Sequence, residues 1–206
     1  MRAKTWLQVC GVAVLFGLLS CGGTGGPNSP ATPPDPMANA CTCTPSEPAS
    51  TDYRHDAKHQ SLPTMSGQDT TVAAILGWAI GSDPGFSAPR SGIENQVFHV
   101  ASAYVQFVWL VPNDCDIHME VSDVPDKTAP RIIVETPIDS EFCPTREAET
   151  SGLSRFGVQV STAGFETAQG IPVDIVGMAF RDFEHQRGTN FVASLWELHP
   201  AIVTVK

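Results

Sequence analysis

The alternation of apolar and polar residues between residue 97 and the C-terminus constrains the fold of this chain more than any other feature. Successive side chains of a β-strand point to opposite faces, so a two-residue period marks a strand with one buried face. Residues 116–123 follow this period without interruption. The residues expected to face inward are Ile117, Met119 and Val121, and those expected to face outward are Asp116, His118, Glu120 and Ser122.

Four further segments of this region also read as strands. Residues 97–111 are rich in β-branched and aromatic side chains, and residues 131–136, 172–183 and 195–205 follow in order. In the first segment, the face expected to be buried carries Ala101, Ala103, Val105, Phe107, Trp109 and Val111.

One amphipathic helix is expected between the third and fourth strands, within residues 145–170. Gly152 and Gly157 lower its helix propensity. A separate apolar segment, residues 71–80, reads as either a short helix or a strand. The apolar residues at helical spacing within 145–170 are Leu153, Phe156 and Val160.

Three strands, a helix and two strands are the element order of the oligomer-binding (OB) fold, and the region resembles that five-stranded barrel. Thermonuclease-like domains use the same barrel. Asp114-Cys115-Asp116 resembles their Asp-Gly-Asp segment, with Cys115 in place of the Gly. Their set of one acid and two arginines has no counterpart in this sequence, so no nuclease activity is carried over. We therefore predict a mostly β, OB-like barrel, with an immunoglobulin-type β-sandwich as the alternative.

The N-terminus carries the signs of an export signal. Arg2 and Lys4 form a cationic leader, and residues 5–19 form an uncharged run that is too short for an ordinary membrane span. The run ends in Leu18-Leu19-Ser20-Cys21, which resembles the lipobox of bacterial lipoproteins.

The lipobox resemblance implies a protein that is held in the bacterial cell envelope by lipid. It implies removal of residues 1–20 and attachment of acyl chains such as palmitate to Cys21. Two or more chains suffice for stable anchoring in a membrane. Gly22 favours the outer membrane, on either its periplasmic or its surface face. The implied partners are the membrane and an envelope component or small ligand.

A flexible tether is expected between the lipid and the folded domain. Residues 22–50 contain seven Pro and four Gly and almost no large apolar side chain. Such a composition cannot bury enough surface to offset the entropy of ordering. We therefore assign residues 21–64 to the lipidated Cys and its tether, and residues 65–206 to the barrel.

Charge and composition exclude two classes of protein. The chain has 22 acidic and 12 basic residues, a formal net charge of −10, so it lacks the positive field that nucleic-acid binding requires. Its hydrophobic content of 42% is too high for a wholly disordered protein.

Four cysteines remain after the signal and the lipidated Cys, namely Cys41, Cys43, Cys115 and Cys143. An exported protein meets an oxidising compartment, and four cysteines allow three pairings. Cys115 and Cys143 flank a predicted hairpin, so a Cys115–Cys143 disulfide is favoured. Cys41 and Cys43 would then form a disulfide within the tether or stay as free thiols.

Two short patterns each place an acid beside an imidazole on one face of a strand: Asp116-x-His118 and Glu197-x-His199. In an OB barrel the second, third and fifth strands are neighbours, so these residues form a cross-strand patch with Glu135. Imidazole and carboxylate groups suit divalent metals such as zinc or manganese. The alternative is that they make only structural hydrogen bonds. The proposed metal ligands are His118, Glu197 and His199, with Asp116, Glu135, Asp182 and His185 around them.

Pro200 gives the second pattern a further feature. Proline cannot donate to a strand ladder, so we expect a bulge or an edge position beside His199. The segment 196–200, with Asp116-x-His118 and the later Phe180, Asp182 and His185, resembles patterns in uncharacterised bacterial secreted domains. The resemblance implies that these residues act together. By contrast, His55 and His59 read as part of a solvated segment.

No catalytic motif of a known type occurs in the sequence. It contains no Gly-x-Ser-x-Gly elbow and no phosphate-binding GxxxxGK[ST] loop. We therefore expect a lipid-anchored, noncatalytic module that binds a ligand or partner. The alternative is a metal-binding protein or a metal-dependent hydrolase.

Overall fold

A computed structural model of the chain describes residues 41, 43, 52–185 and 188–206. The predicted signal peptide, Cys21 and most of the predicted tether lie outside these residues. Within them, no helix is long and apolar enough to cross a membrane.

The described residues form six strands and three α-helices. The strands are β1 (Gln68–Asp69), β2 (Val97–Leu110), β3 (Ile117–Ser122), β4 (Arg131–Thr136), β5 (Phe165–Arg181) and β6 (Val192–Val205). The helices are α1 (His55–Lys58), α2 (Val72–Leu76) and α3 (Cys143–Ser154), with 3-10 turns at Gly92–Asn95 and Ser140–Phe142.

Five of the strands close into a barrel. They are paired in the order β2-β3-β4-β6-β5, and β5 pairs again with β2. The β4–β6 pair is parallel and the other pairs of the barrel are antiparallel. This arrangement, with α3 between the third and fourth barrel strands, is that of an OB-like barrel, so the predicted fold class is confirmed. The short β1 pairs in parallel with β2 outside the ring, and the ambiguous segment 71–80 contains α2.

The buried face predicted for the first barrel strand is only half correct. A β-bulge lies between Val105 and Phe107 and reverses the alternation of β2 at that point. Before the bulge Ala103 and Val105 are buried as predicted, but after it Val108 and Leu110 are buried instead. Ala101 is exposed, beside a second register shift between Val100 and Ala103. The pattern of alternation alone does not show where one residue is inserted.

The polar residues of β3 are predicted to face outward, but they are not exposed to water. All six residues of β3 are buried, including His118, Glu120 and Ser122, and Asp116 just before it is fully buried. Glu120 accepts hydrogen bonds from the backbone N–H and hydroxyl of Thr189. The polar face of β3 is therefore covered by other parts of the chain rather than by water.

Two arginines fasten the segment before the barrel to its strands. Arg54, fully buried, binds both carboxylate oxygens of Glu94, at 2.7 and 2.9 Å, and donates to the carbonyl of Arg181. Arg90 donates to the carbonyls of Ala57, Ala179 and His199. These bonds join α1 and the turn Gly92–Asn95 to β5 and β6.

Packed structure therefore begins before the domain boundary predicted at residue 65. Tyr53, Arg54, Ala57 and Lys58 are all buried. Sequence analysis does not detect this packing, because these residues follow a Pro- and Gly-rich segment and show no two-residue alternation of apolar and polar side chains. Their burial also overturns the prediction that His55 and His59 belong to a solvated segment: the His59 side chain is only 6% exposed, and its Nδ1 lies 2.7 Å from Asp139 Oδ2.

The disulfides differ from the predicted pairing. Cys115 is bonded to Cys41, and Cys143 to Cys43, so the Cys115–Cys143 prediction is wrong. Both cysteines that were placed in the tether thus bind the barrel. Cys115 has a φ of 65°, in the left-handed region that Gly favours.

Helix α3 packs against β6 through a small residue and a buried acid. A Cβ at Gly152 would lie 2.6 Å from Val205 Cβ, so this Gly permits the close approach. Leu153 is buried as predicted, whereas Phe156 lies beyond the helix and is exposed. Glu149 accepts hydrogen bonds from the Thr136 hydroxyl and the Val203 N–H, and burial raises its pKa to about 8.

Replacing Arg54 by Met tests how much the Arg54–Glu94 ion pair stabilises the segment before the barrel. The substitution keeps an apolar stem but leaves Glu94 as a buried charge without its partner. We expect the free energy of unfolding, measured by chemical denaturation, to fall by about 3 to 5 kcal/mol. Arg155→Met removes an exposed guanidinium and should change it by less than about 0.5 kcal/mol. Equal losses in the two variants would contradict the assignment.

Glu149→Gln tests the buried acid through the pH dependence of stability. Between the ordinary pKa of 4.5 and the folded-state pKa of about 8, the folded protein keeps a proton that the unfolded chain has lost. Wild-type stability from this group is complete below the lower value and falls as pH rises towards the upper one. Gln cannot ionise, so the Tm of the variant minus that of the wild type should grow between about pH 5 and about pH 8. Glu147→Gln, an exposed neighbour on α3, should show a flat difference, and a flat difference for Glu149→Gln would refute the shift.

Candidate functional site

A cavity of about 300 Å³ opens where β3, β4 and β6 run side by side. Trp109 and Phe183 contribute aromatic surface to its wall, and Lys58 of α1 contributes an ammonium group. The wall also carries two imidazoles and five carboxylates: His118, His185, Asp52, Asp114, Glu135, Asp182 and Glu197.

The barrel register brings the predicted patch together. His118 of β3 lies opposite Glu135 of β4, and Glu197 of β6 lies opposite Ile133 of β4. The ladder between β5 and β6 is interrupted at His199 and Pro200, where β6 carries one residue more than β5. The bulge predicted beside His199 is therefore confirmed, and it lets His199 reach Glu135.

Glu135 is the centre of the polar network. Its Oε1 lies 2.8 Å from His118 Nδ1, and its Oε2 lies 2.8 Å from His199 Nδ1. Burial alone would raise the pKa of Glu135, but the contacts with the two imidazoles hold it well below its usual value. An ionised Glu135 accepts the Nδ1–H of His118, which leaves the Nε2 of that ring as an acceptor, whereas His199 Nδ1 makes no hydrogen bond with a described residue.

Both Nε2 atoms lack a hydrogen-bond partner among the described residues. His118 lines the cavity with only 4% of its side chain exposed, and its Nε2 is 4.0 Å from Glu120. His199 is completely buried, and burial lowers its pKa to about 4. Its Nε2 lies 3.3 Å from Asp116 Oδ2, which also makes no hydrogen bond.

The cavity wall is strongly acidic. Burial by itself lowers the pKa of Lys58, but the charges of Glu135 and Asp182 raise it above its ordinary value. Burial and the nearby charge of Glu135 raise the pKa of Asp114 to about 6. At neutral pH Glu135 and Asp114 are therefore mostly ionised, in the same wall as the ammonium group of Lys58.

Most of the predicted site residues thus meet, although in two layers. Five of them line the cavity, namely His118, Glu135, Asp182, His185 and Glu197. Asp116 and His199 lie behind this wall and are fully buried. Asp116, Glu135 and His199 each offer one ligand atom within 4.8 Å of the others, whereas the predicted metal set combined His199 with His118 and Glu197.

Sequence reasoning missed Asp52, Lys58 and Asp114 as parts of the wall. Lys58 could have been found from the sequence, because it lies between His55 and His59 in a short segment rich in titratable side chains. Asp114 was noted only for its resemblance to the thermonuclease segment. Asp52 lies in the range assigned to the tether, and nothing in its neighbours indicates a cavity.

Comparison of the chain with family models, curated proteins and solved structures finds no match. The functional conclusion therefore depends on the cavity and on the polar network behind it.

Proposed function

We propose that this protein is a lipid-anchored component of the bacterial cell envelope whose barrel binds a small cationic ligand in the cavity without transforming it. The observation that carries the ligand class is the wall itself, where the carboxylates of Asp52, Asp114 and Glu135 lie with the ammonium group of Lys58 among the described residues. A cation that enters would offset the cost of keeping these carboxylates away from water.

The other groups of the wall favour an organic amine. Trp109 and Phe183 offer aromatic surface, which attracts cations through the negative faces of the rings. His118 Nε2 is a buried acceptor without a partner, so it suits an N–H donor. A volume of about 300 Å³ is that of a site for a small molecule.

Binding without chemistry is favoured by the side chains of the described wall. It carries no Ser, Thr or Cys, so covalent catalysis there would have to use its Lys, His or acidic side chains. Metal-dependent hydrolysis, the alternative expectation, needs an open coordination position for water. Asp116 and His199 are fully buried, which favours a binding role over hydrolysis.

Binding of 1,4-diaminobutane tests the ligand class. We expect metal-stripped, full-length protein in detergent to bind this diamine in calorimetric titrations more tightly than butane-1,4-diol or succinate, which have the same carbon chain. Asp114→Asn should weaken diamine binding about 10- to 100-fold, since a hydrogen bond to a charged group contributes about 1.5–3 kcal/mol. Asp126→Asn, the same substitution on an exposed loop, should leave it unchanged. Equal binding of diamine and diol, or no binding of either, would overturn the proposal.

The lipid anchor is supported by the lipobox-like sequence that ends at Cys21. Replacing Cys21 by Ala removes the acylation site. We expect the variant to appear in the soluble fraction and to lose palmitate labelling, while the wild type stays with the membranes. Ser20→Thr is not a suitable control because it alters the cleavage site, so Thr24→Ala, in the predicted tether, serves instead and should remain membrane-bound. Membrane association of Cys21→Ala equal to that of the wild type would refute the anchor.

A further inference from the structure

We infer that a divalent metal ion of the zinc type binds between Asp116, Glu135 and His199, behind the wall of the cavity. This site goes beyond the proposed function, because it is separate from the space that would hold an organic cation. Glu135 alone belongs to both, as a member of the cavity wall and of the buried trio.

The first support is convergence. One ligand atom from each of the three side chains lies within 4.8 Å of the others. Three donors placed about 2.0–2.2 Å from one zinc ion lie within such a distance of each other. The side chains come from three places in the chain, the start of β3, the end of β4 and the bulge of β6, so no local turn explains their meeting.

The second support is a pair of buried polar atoms without hydrogen bonds. Asp116 Oδ2 and His199 Nε2 face each other at 3.3 Å, and neither makes a hydrogen bond. The other ring nitrogen of His199, Nδ1, lies 2.8 Å from Glu135 Oε2 and makes no hydrogen bond either. Burying these polar atoms without partners is costly. A divalent cation would satisfy both atoms and Glu135 together.

The third support is the set of bonds that orients the three side chains. The Ile138 N–H donates to Asp116 Oδ1 and leaves Oδ2 directed to His199. His118 Nδ1 contacts Glu135 Oε1, and Arg90 donates to the carbonyl of His199. Side chains that ligate metals are typically held by such outer contacts, which fix the geometry before the ion arrives.

The chemical types of the three ligand atoms indicate which metal ions the site would prefer. One imidazole and two carboxylates form a nitrogen and oxygen set, which suits zinc and cobalt better than calcium, whose sites take six to eight oxygens. The two disulfides hold all four cysteines outside the predicted signal and lipid site, so a thiolate set is not available to compete.

Metal titration of the full-length protein in detergent tests the site. After EDTA treatment and dialysis, we expect the wild type to bind one Zn²⁺, to gain Tm in proportion to free Zn²⁺, and to give visible absorption with Co²⁺. Asp116→Asn keeps the shape of the side chain and its bond from Ile138, and should weaken zinc binding at least tenfold. Asp126→Asn, the same change on an exposed loop, should bind as the wild type does.

The outcomes separate this site from the cavity. Loss of zinc binding in Asp116→Asn supports the buried site, whether or not the wild type binds the diamine. If the wild type binds the diamine, the variant should bind it equally well. Wild-type protein that binds no zinc overturns it. Zinc bound equally by the wild type and Asp116→Asn places the ion elsewhere, such as at His55 and His59, whose rings lie 4.2 Å apart, and also overturns it. If Asp116→Asn fails to fold, His199→Gln and the zinc dependence of the wild-type Tm decide the question.

Discussion

The buried ion pair between Arg54 and Glu94 is the interaction on which the site depends. A buried carboxylate is costly without a partner, and here the guanidinium contacts both oxygens and also the carbonyl of Arg181. The pair fixes α1 against β5, and α1 supplies Lys58 to the cavity. The pair thereby positions one part of the cavity wall, while Thr189 covers Glu120 on the neighbouring β3.

Barrel topology explains why the functional groups gather on β3, β4 and β6. The parallel β4–β6 pair places Glu135 between His118 on one side and His199 on the other. A regular β6 would alternate through this region, but the extra residue at His199 and Pro200 changes the direction of the imidazole. The site thus combines a standard register with one local irregularity, and Glu135 connects the two.

The sequence predicted the strands and the patch because both follow from a period of two. His118, Glu135 and Glu197 were brought to neighbouring strands by the element order alone, and Pro200 indicated the bulge. The covering of that patch could not be predicted, since Arg54 and Lys58 act through contacts with residues far away in the chain. The disulfide pairing was predicted wrongly for a related reason. Composition places Cys41 and Cys43 in a tether, but it does not show where such a segment is covalently bonded to the barrel domain.

Burying this many charges carries a cost that a purely structural role does not explain. Apolar residues of similar size in place of buried ion pairs often leave stability equal or higher. Glu149, in a separate part of the fold, avoids this cost by keeping its proton, because burial raises its pKa to about 8. Glu135 stays ionised instead, and the groups around it converge, with unpartnered nitrogens on both imidazoles. Convergence of acceptors is what a cation requires, and it is the feature that separates a binding site from a set of buried acids.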